Sequence, residues 1–285
     1  MITVALDEGC HVVLDGPPGT GKSTLLRAIA GASGRGIEFV EGNAELTPAR
    51  LIGHHDPALV LARGYRAETW CDGPLATAMR EGALLYLEEL NRIPEETLNV
   101  LITAMAEREL VVPRLGRIEA ADGFVLVAAM NPFDAVGTAR VSQAIADRMC
   151  RVSISYLDEE GEREVVRRQA QGGEREIEIA VAVTRGTPAH AAVRMGSSVR
   201  GAIDMVRLAR GLARLRGQAP PGREVLLDAA VAALSGRVRV HEDQERTVEE
   251  VIAELLDRAL AADPEPAPGR AGAPPDGPRP DGAAP

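Results

Sequence analysis

The sequence predicts an α/β protein: a parallel five-stranded sheet with helices on both faces, followed by an all-helical second domain. Three observations carry this prediction. Short apolar runs recur through the first 156 residues, at His11–Asp15 (HVVLD), Ile37–Val40, Ala83–Leu87 (ALLYL), Phe124–Met130 (FVLVAAM) and Val152–Tyr156. Helical stretches separate them, and strands alternating with helices build a parallel sheet covered on both sides. After Tyr156 the strand-like runs stop and helical periodicity takes over.

The elements follow in order. His11–Asp15 ends in a turn, as a buried strand does. Gly21 to about Ala32 reads as a helix, stopped by Gly34 and Gly36. Pro94 opens a helix that runs to about Arg108, at the position where a missing N–H costs nothing. Val111–Ile118 contains Pro113 and Gly116 and reads as a hairpin. Val141–Arg148 reads as a helix. In the second domain, Leu157–Gln171, Ile177–Thr184, Ser198–Arg216, Arg223–Leu234 and Thr247–Ala261 all read as helices. The expected organisation is therefore 1–156, 157–262 and a tail, 263–285. The tail is rich in Pro, Ala and Gly without apolar periodicity, so it is expected to be disordered. No internal repeat is present.

Composition narrows the function classes. The 285 residues are 45% hydrophobic and 26% charged, enough for two folded domains. Aromatics are 2%, so Leu, Val, Ile and Ala must form the cores. The net charge of −10 disfavours a nucleic-acid platform, which ordinarily shows a basic face. No apolar run is long enough for a membrane span. Asp7 and Glu8 stand where a signal peptide carries basic residues. Cys10, Cys71 and Cys150 lie far apart without C-x-x-C spacing, as expected of a reduced, cytoplasmic protein. Of the 32 Lys and Arg residues, Lys22 is the single lysine.

That lysine sits in a motif. Gly16-Pro17-Pro18-Gly19-Thr20-Gly21-Lys22-Ser23, followed by Thr24, matches G-x-x-x-x-G-K-[ST] in full. It follows a predicted strand and opens a predicted helix, the context that makes it a P-loop. Glycines let backbone N–H groups converge on phosphates, and the helix N-terminus adds partial positive charge. A compact ammonium fits inside such a loop where a planar guanidinium does not. Lys22 is expected to reach the β- and γ-phosphates of ATP, and Ser23 to ligate Mg²⁺. Leu84-Leu85-Tyr86-Leu87-Glu88-Glu89 is an apolar strand ending in two acids, the Walker B pattern. Glu88 is assigned to Mg²⁺ and Glu89 to water activation. The reverse assignment stays open, because the usual first acid is the shorter Asp.

GPPGTGKST (16–24), LEELNRIPEETLNVLITAMAE (87–107), VAAMNPFDAVGTARVSQAIADR (127–148) and GSSVRGA (196–202) together resemble the MoxR family of AAA+ ATPases. The resemblance covers roughly residues 10–260. It implies an α/β P-loop domain with a helical AAA+ lid, ATP hydrolysis with Mg²⁺, and remodelling or maturation of a client protein. It also implies a homo-oligomer, a hexameric ring, with a von Willebrand factor A-domain partner. In this family pattern Asn131 resembles sensor 1, Arg148 the arginine finger that acts on a neighbouring subunit, and Arg200 sensor 2 of the lid. Arg140 and Arg151 are rivals of Arg148. The segment Tyr65–Thr77 and the hairpin near Val111–Ile118 fall where the family carries inserts.

Two departures stand out. About ten residues precede the first strand where relatives have an extra helix, so either the adenine pocket is more open or the start lies further upstream. Glu88 replaces the common Asp, which bears on the hydrolysis rate more than on binding. Two further features have ordinary readings. His54-His55-Asp56 looks like a metal triplet but fits a loop contact better, because adjacent residues seldom converge on one ion. The Arg residues of 207–216 alternate with Leu and Ala as on a solvated lid helix. The competing functions are a DNA-directed AAA+ motor, disfavoured by charge, and a small-molecule kinase, disfavoured by Asn131, Arg148 and Arg200.

Overall fold

The computed structural model describes residues 1–131, 142–243 and 245–262. The tail 263–285 and the rival Arg140 lie outside these residues. The chain divides into two compact units, one ending at Asp158 and one starting at Glu159.

In the first unit the central strands are β1 (Val12–Asp15), β2 (Ile37–Glu41), β3 (Leu84–Glu88), β4 (Val125–Met130) and β5 (Cys150–Ser153). They form one parallel sheet in the order β2-β3-β4-β1-β5. The helices are α1 (Ile2–Asp7), α2 (Lys22–Ser33), α3 (Pro48–Ile52), α4 (Pro57–Arg63), α5 (Pro74–Glu81), α6 (Glu95–Glu107) and α7 (Gln143–Ala146). Side chains alternate across a strand, and the core divides accordingly. Val12, Leu14, Leu84, Tyr86, Val125 and Val127 meet α1 and α2 on one face. Val13, Leu85, Leu87, Leu126 and Ala128 meet α5 and α6 on the other. Both faces are apolar because both are covered, the pattern of a buried parallel sheet.

Several elements differ from the sequence expectation. The last strand runs Cys150–Ser153 rather than Val152–Tyr156, because its register follows β1, with Val12 opposite Cys150 and Asp15 opposite Ser153. One further hydrogen bond, Ile154 N–H to the Asp15 carbonyl at 2.7 Å, ends the pairing. The helix expected over Val141–Arg148 is the four-residue α7, with residue 141 outside the described set. The hairpin is present as Glu109–Val112 paired with Gly116–Glu119. A second ribbon, Gly53–His55 with Trp70–Asp72, was not expected. Neither was α1, which packs Ile2 and Leu6 beneath β1.

The second unit contains α8 (Glu159–Ala170), α9 (Glu174–Ala189), α10 (Val199–Arg216), α11 (Arg223–Leu234) and α12 (Val248–Ala262). Among the described residues its regular structure is helical apart from one short antiparallel pair, Val193–Met195 with Arg239–Val240. α9 is longer than the predicted Ile177–Thr184, and Pro188 lies in its last turn. Its core is rich in small side chains, among them Ala180, Ala202, Ala209, Ala229, Ala230 and Ala233. Arg207 and Arg210 donate to the carbonyls of Gln169 and Ala170 at the end of α8, both at 2.8 Å. These two arginines therefore close a helix terminus that would otherwise leave carbonyls unpaired.

Candidate functional site

The parallel register delivers the motifs to one edge of the sheet. Asp15 pairs opposite Met130, so Gly16 and Asn131 leave the sheet side by side. Leu87 pairs opposite Ala128, so Glu88 ends its strand one row short of Asn131's strand end. This is the carboxyl edge, where ligands of open α/β sheets bind.

The loop between β1 and α2 has the backbone its glycines allow. Gly19 and Gly21 both adopt φ of 78°, the left-handed region open to glycine. Gly16 is constrained differently: a Cβ there would lie 2.0 Å from the Ile154 carbonyl oxygen. Thr20 Oγ1 donates to the Pro17 carbonyl at 3.0 Å, bracing the turn. Lys22 Nζ donates to the carbonyls of Gly16 at 2.8 Å and Pro17 at 2.9 Å, so the ammonium folds over the loop.

Ser23, on the first turn of α2, donates its hydroxyl to Glu88 Oε1. The same oxygen accepts from Tyr86 Oη at 3.0 Å, and Tyr86 Oη lies 3.4 Å from Ser23 Oγ. Tyr86 is fully buried. Burial, the largest cause, pushes its phenol well above the usual range, so it remains a donor. Sequence reasoning missed this residue. The signal was the spacing: Tyr86 and Glu88 are two apart on one strand and share a face.

Glu89 is placed otherwise. Its φ of 53° is left-handed, unusual for a residue with a side chain. The turn breaks the strand immediately after Glu88 and directs Glu89 to Arg92, whose Nε lies 3.0 Å from Glu89 Oε2. The two acids are therefore not equivalent: Glu88 is bonded to the P-loop helix and Glu89 is not among its partners.

The arginine candidates lie on separate elements. Arg148 is exposed just beyond α7 and donates to the Ala144 carbonyl at 2.7 Å. Its rival Arg151 is bound to buried Asp15 of the same chain, directly before the P-loop. Arg200 is exposed in the first turn of α10. His54-His55-Asp56 is not a loop as expected but a strand end and a helix cap: His54 and His55 belong to the ribbon, Asp56 caps α4 through Ala58 and Leu59 N–H, and His55 Nδ1 lies 3.0 Å from Thr69 Oγ1. His55 also stacks edge-on against Tyr65 and Trp70, and Arg114 of the hairpin lies 4.0 Å over the Tyr65 ring. The two expected inserts thus touch one another.

A parallel sheet in this order, with a lysine-bearing loop at its carboxyl edge and a helical second unit, defines a P-loop nucleoside triphosphatase of AAA+ type. The family profiles agree: an AAA domain (dynein-related subfamily) matches residues 11–149, and an AAA lid domain matches residues 185–255. The chain belongs to the AAA+ ATPases, and its relatives fit the MoxR-like kind. It is similar to a gas vesicle ATPase, GvpN, of Ancylobacter aquaticus, with 32% identity over 81% of this chain and 63% of that protein. The chain thus spans less than two thirds of that relative's length. A second GvpN, from Haloferax mediterranei, is 28% identical over 88% of this chain and 75% of its own. Among solved structures, NtrX of Brucella abortus in complex with ADP aligns with a TM-score of 0.56 at 18% identity, covering 92% of this chain and 63% of its own. RuvB of Thermotoga maritima, a Holliday junction branch migration motor, aligns at 0.52 and 18%, covering 80% and 64%. Both share the fold. Among the described residues no helix is long and apolar enough to cross a membrane.

Proposed function

We propose that this chain binds ATP with Mg²⁺, hydrolyses it within a ring of identical subunits, and uses the cycle to remodel a client protein. The observation that carries the reading is the convergence of Ser23 on α2 and Glu88 on β3 beside the lysine-bearing loop. Mg²⁺ takes oxygen ligands and couples to phosphates; a hydroxyl and a carboxylate meeting at a helix N-terminus fit that ion. Ser23 and Glu88 would hold it, and when bound it neutralises charge developing on the phosphates.

The chain's own groups do the rest. The loop from Gly16 to Thr24 wraps the phosphates, with backbone N–H groups supplied from Gly19 onward because Pro17 and Pro18 have none, and Lys22 exchanges its loop carbonyls for phosphate oxygens. Glu89, set apart from the metal pair by its turn, orients the attacking water. Asn131 holds the γ-phosphate or that water; its exit from the sheet beside Gly16 supports this role. Arg148 supplies positive charge to a neighbouring subunit's nucleotide; its exposure, and the engagement of Arg151 with Asp15, favour it over that rival. Arg200 is carried by its GSSVRGA motif and its place at the start of α10.

The hexamer and the von Willebrand factor A-domain partner rest on the family resemblance. The two relatives named as gas vesicle ATPases make gas vesicle components the first clients to test. The test of the site is Lys22→Ala, with phosphate release measured at saturating ATP. Turnover is expected to fall by about 100-fold or more, as when a group stabilising transition-state charge is removed. Unchanged turnover would sink the reading.

A further inference from the structure

We infer that Tyr86 is the positioning residue that lets a glutamate serve at the metal-facing acid of this site. The inference rests on the assignment of Ser23 and Glu88 to Mg²⁺ made above. A glutamate is longer than the usual aspartate by a methylene and has one more rotatable bond. Left alone, its carboxylate would sample several rotamers, and fixing it would cost entropy each time the ion bound.

Tyr86 removes that freedom. It is two residues before Glu88 on β3, so strand alternation sends both side chains toward α2. Its ring is fully buried in the core beneath that helix, with Leu14, Leu26 and Val127 in the same cluster. Its hydroxyl reaches Glu88 Oε1 at 3.0 Å while lying 3.4 Å from Ser23 Oγ. A rigid donor, anchored by packing, thus pins the carboxylate beside the hydroxyl with which it is to share the ion. Shortening the acid to Asp withdraws the carboxylate by one methylene and takes it out of the phenol's reach. The tyrosine and the glutamate therefore belong together.

The test is a double-mutant cycle of Tyr86→Phe and Glu88→Asp, read by binding of a non-hydrolysable ATP analogue at varied Mg²⁺. Phenylalanine keeps the ring and removes only the hydroxyl. In the protein that retains Glu88, Tyr86→Phe should raise the Mg²⁺ concentration at half-saturation by about ten- to a hundredfold, the scale of one hydrogen bond to a charged group. Affinity for the analogue without Mg²⁺ should stay within about twofold. Both readouts should also stay within about twofold when Tyr86→Phe is added to the Glu88→Asp variant. Equal effects in both backgrounds, or equal losses with and without Mg²⁺, would show a structural role only and overturn the inference. Melting temperatures of all four proteins identify a variant that fails to fold. If the unaltered protein bound the analogue with no Mg²⁺ dependence, the metal assignment itself would be wrong. If it did depend on Mg²⁺ and the cycle were additive, only the role of Tyr86 would fall.

Discussion

The carboxyl edge of the central sheet and the helical second unit are held by opposite kinds of contact. At the sheet edge the fixed partner is backbone: the loop at Gly16 presses on the Ile154 carbonyl, and the Lys22 ammonium is gathered onto two carbonyls. In the helical unit, small side chains let helices approach, and the tight point at Gly201 on α10 involves flexible tips. A Cβ at Gly201 would meet Ser197 Oγ at 2.3 Å and Leu234 Cδ2 at 2.5 Å. The first kind of contact fixes atoms for chemistry. The second packs a scaffold and leaves room to adjust.

Substitutions can break or sharpen this contrast. The largest effect is expected for Glu89→Gln. It should lower ATP turnover by about 10²- to 10⁴-fold, the range for a lost general base, while analogue affinity changes little. Steady-state phosphate release together with equilibrium binding checks it, and a matching loss of binding would erase the distinction between Glu88 and Glu89. Next comes Gly16→Ala, in which the new methyl meets a backbone oxygen that cannot rotate aside. A loss of about 3 kcal/mol or more is expected, at the upper end for overpacking. Gly201→Ala should cost less, about 1–2 kcal/mol, because Ser197 and Leu234 can change rotamer. Melting temperatures of the two variants, compared directly, decide whether the sheet edge is the stiffer region.

The smallest effect concerns His11. Its Nδ1 accepts from Leu126 N–H at 2.9 Å and its ring bonds the Met105 carbonyl, so the neutral form is the one that fits. Burial, the largest cause, lowers its pKa below the usual 6.5, with Arg108 also lowering it. The unfolded chain therefore binds this proton more readily than the folded one. The stabilising contribution is complete above about pH 6.5 and declines as pH falls from there toward the folded-state pKa. His11→Gln, which keeps an acceptor for Leu126, should flatten the decline of melting temperature below pH 6.5. An unchanged slope would show that other groups govern it.

The sequence made four of the five strands legible because each is an apolar run with a glycine, proline or acid near its end; the fifth, CRVS, has neither, and its bounds were misplaced. The P-loop was legible because its glycines and lysine have a required spacing. The three helices between Thr47 and Gly82 were not read, although they carried a signal. Thr47-Pro48, Asp56-Pro57 and Gly73-Pro74 each place a capping residue before a proline, and each opens a helix. Those helices are short and separated by a small ribbon, so no periodicity accumulates to mark them. The assignment of Glu88 and Glu89, made by position, stayed open to reversal for another reason. It depends on the left-handed turn at Glu89, and nothing in two identical neighbours announces where a strand will break.

The folded-over ammonium of Lys22 has a practical side. Apart from the α-amino group, it is the chain's single primary amine. An amine-reactive dye or acetylating reagent thus has one side-chain target, already held by two carbonyls. The rate at which that target is labelled reports on the phosphate loop alone. The protein carries, in its own composition, a site-specific reporter for whatever enters the loop.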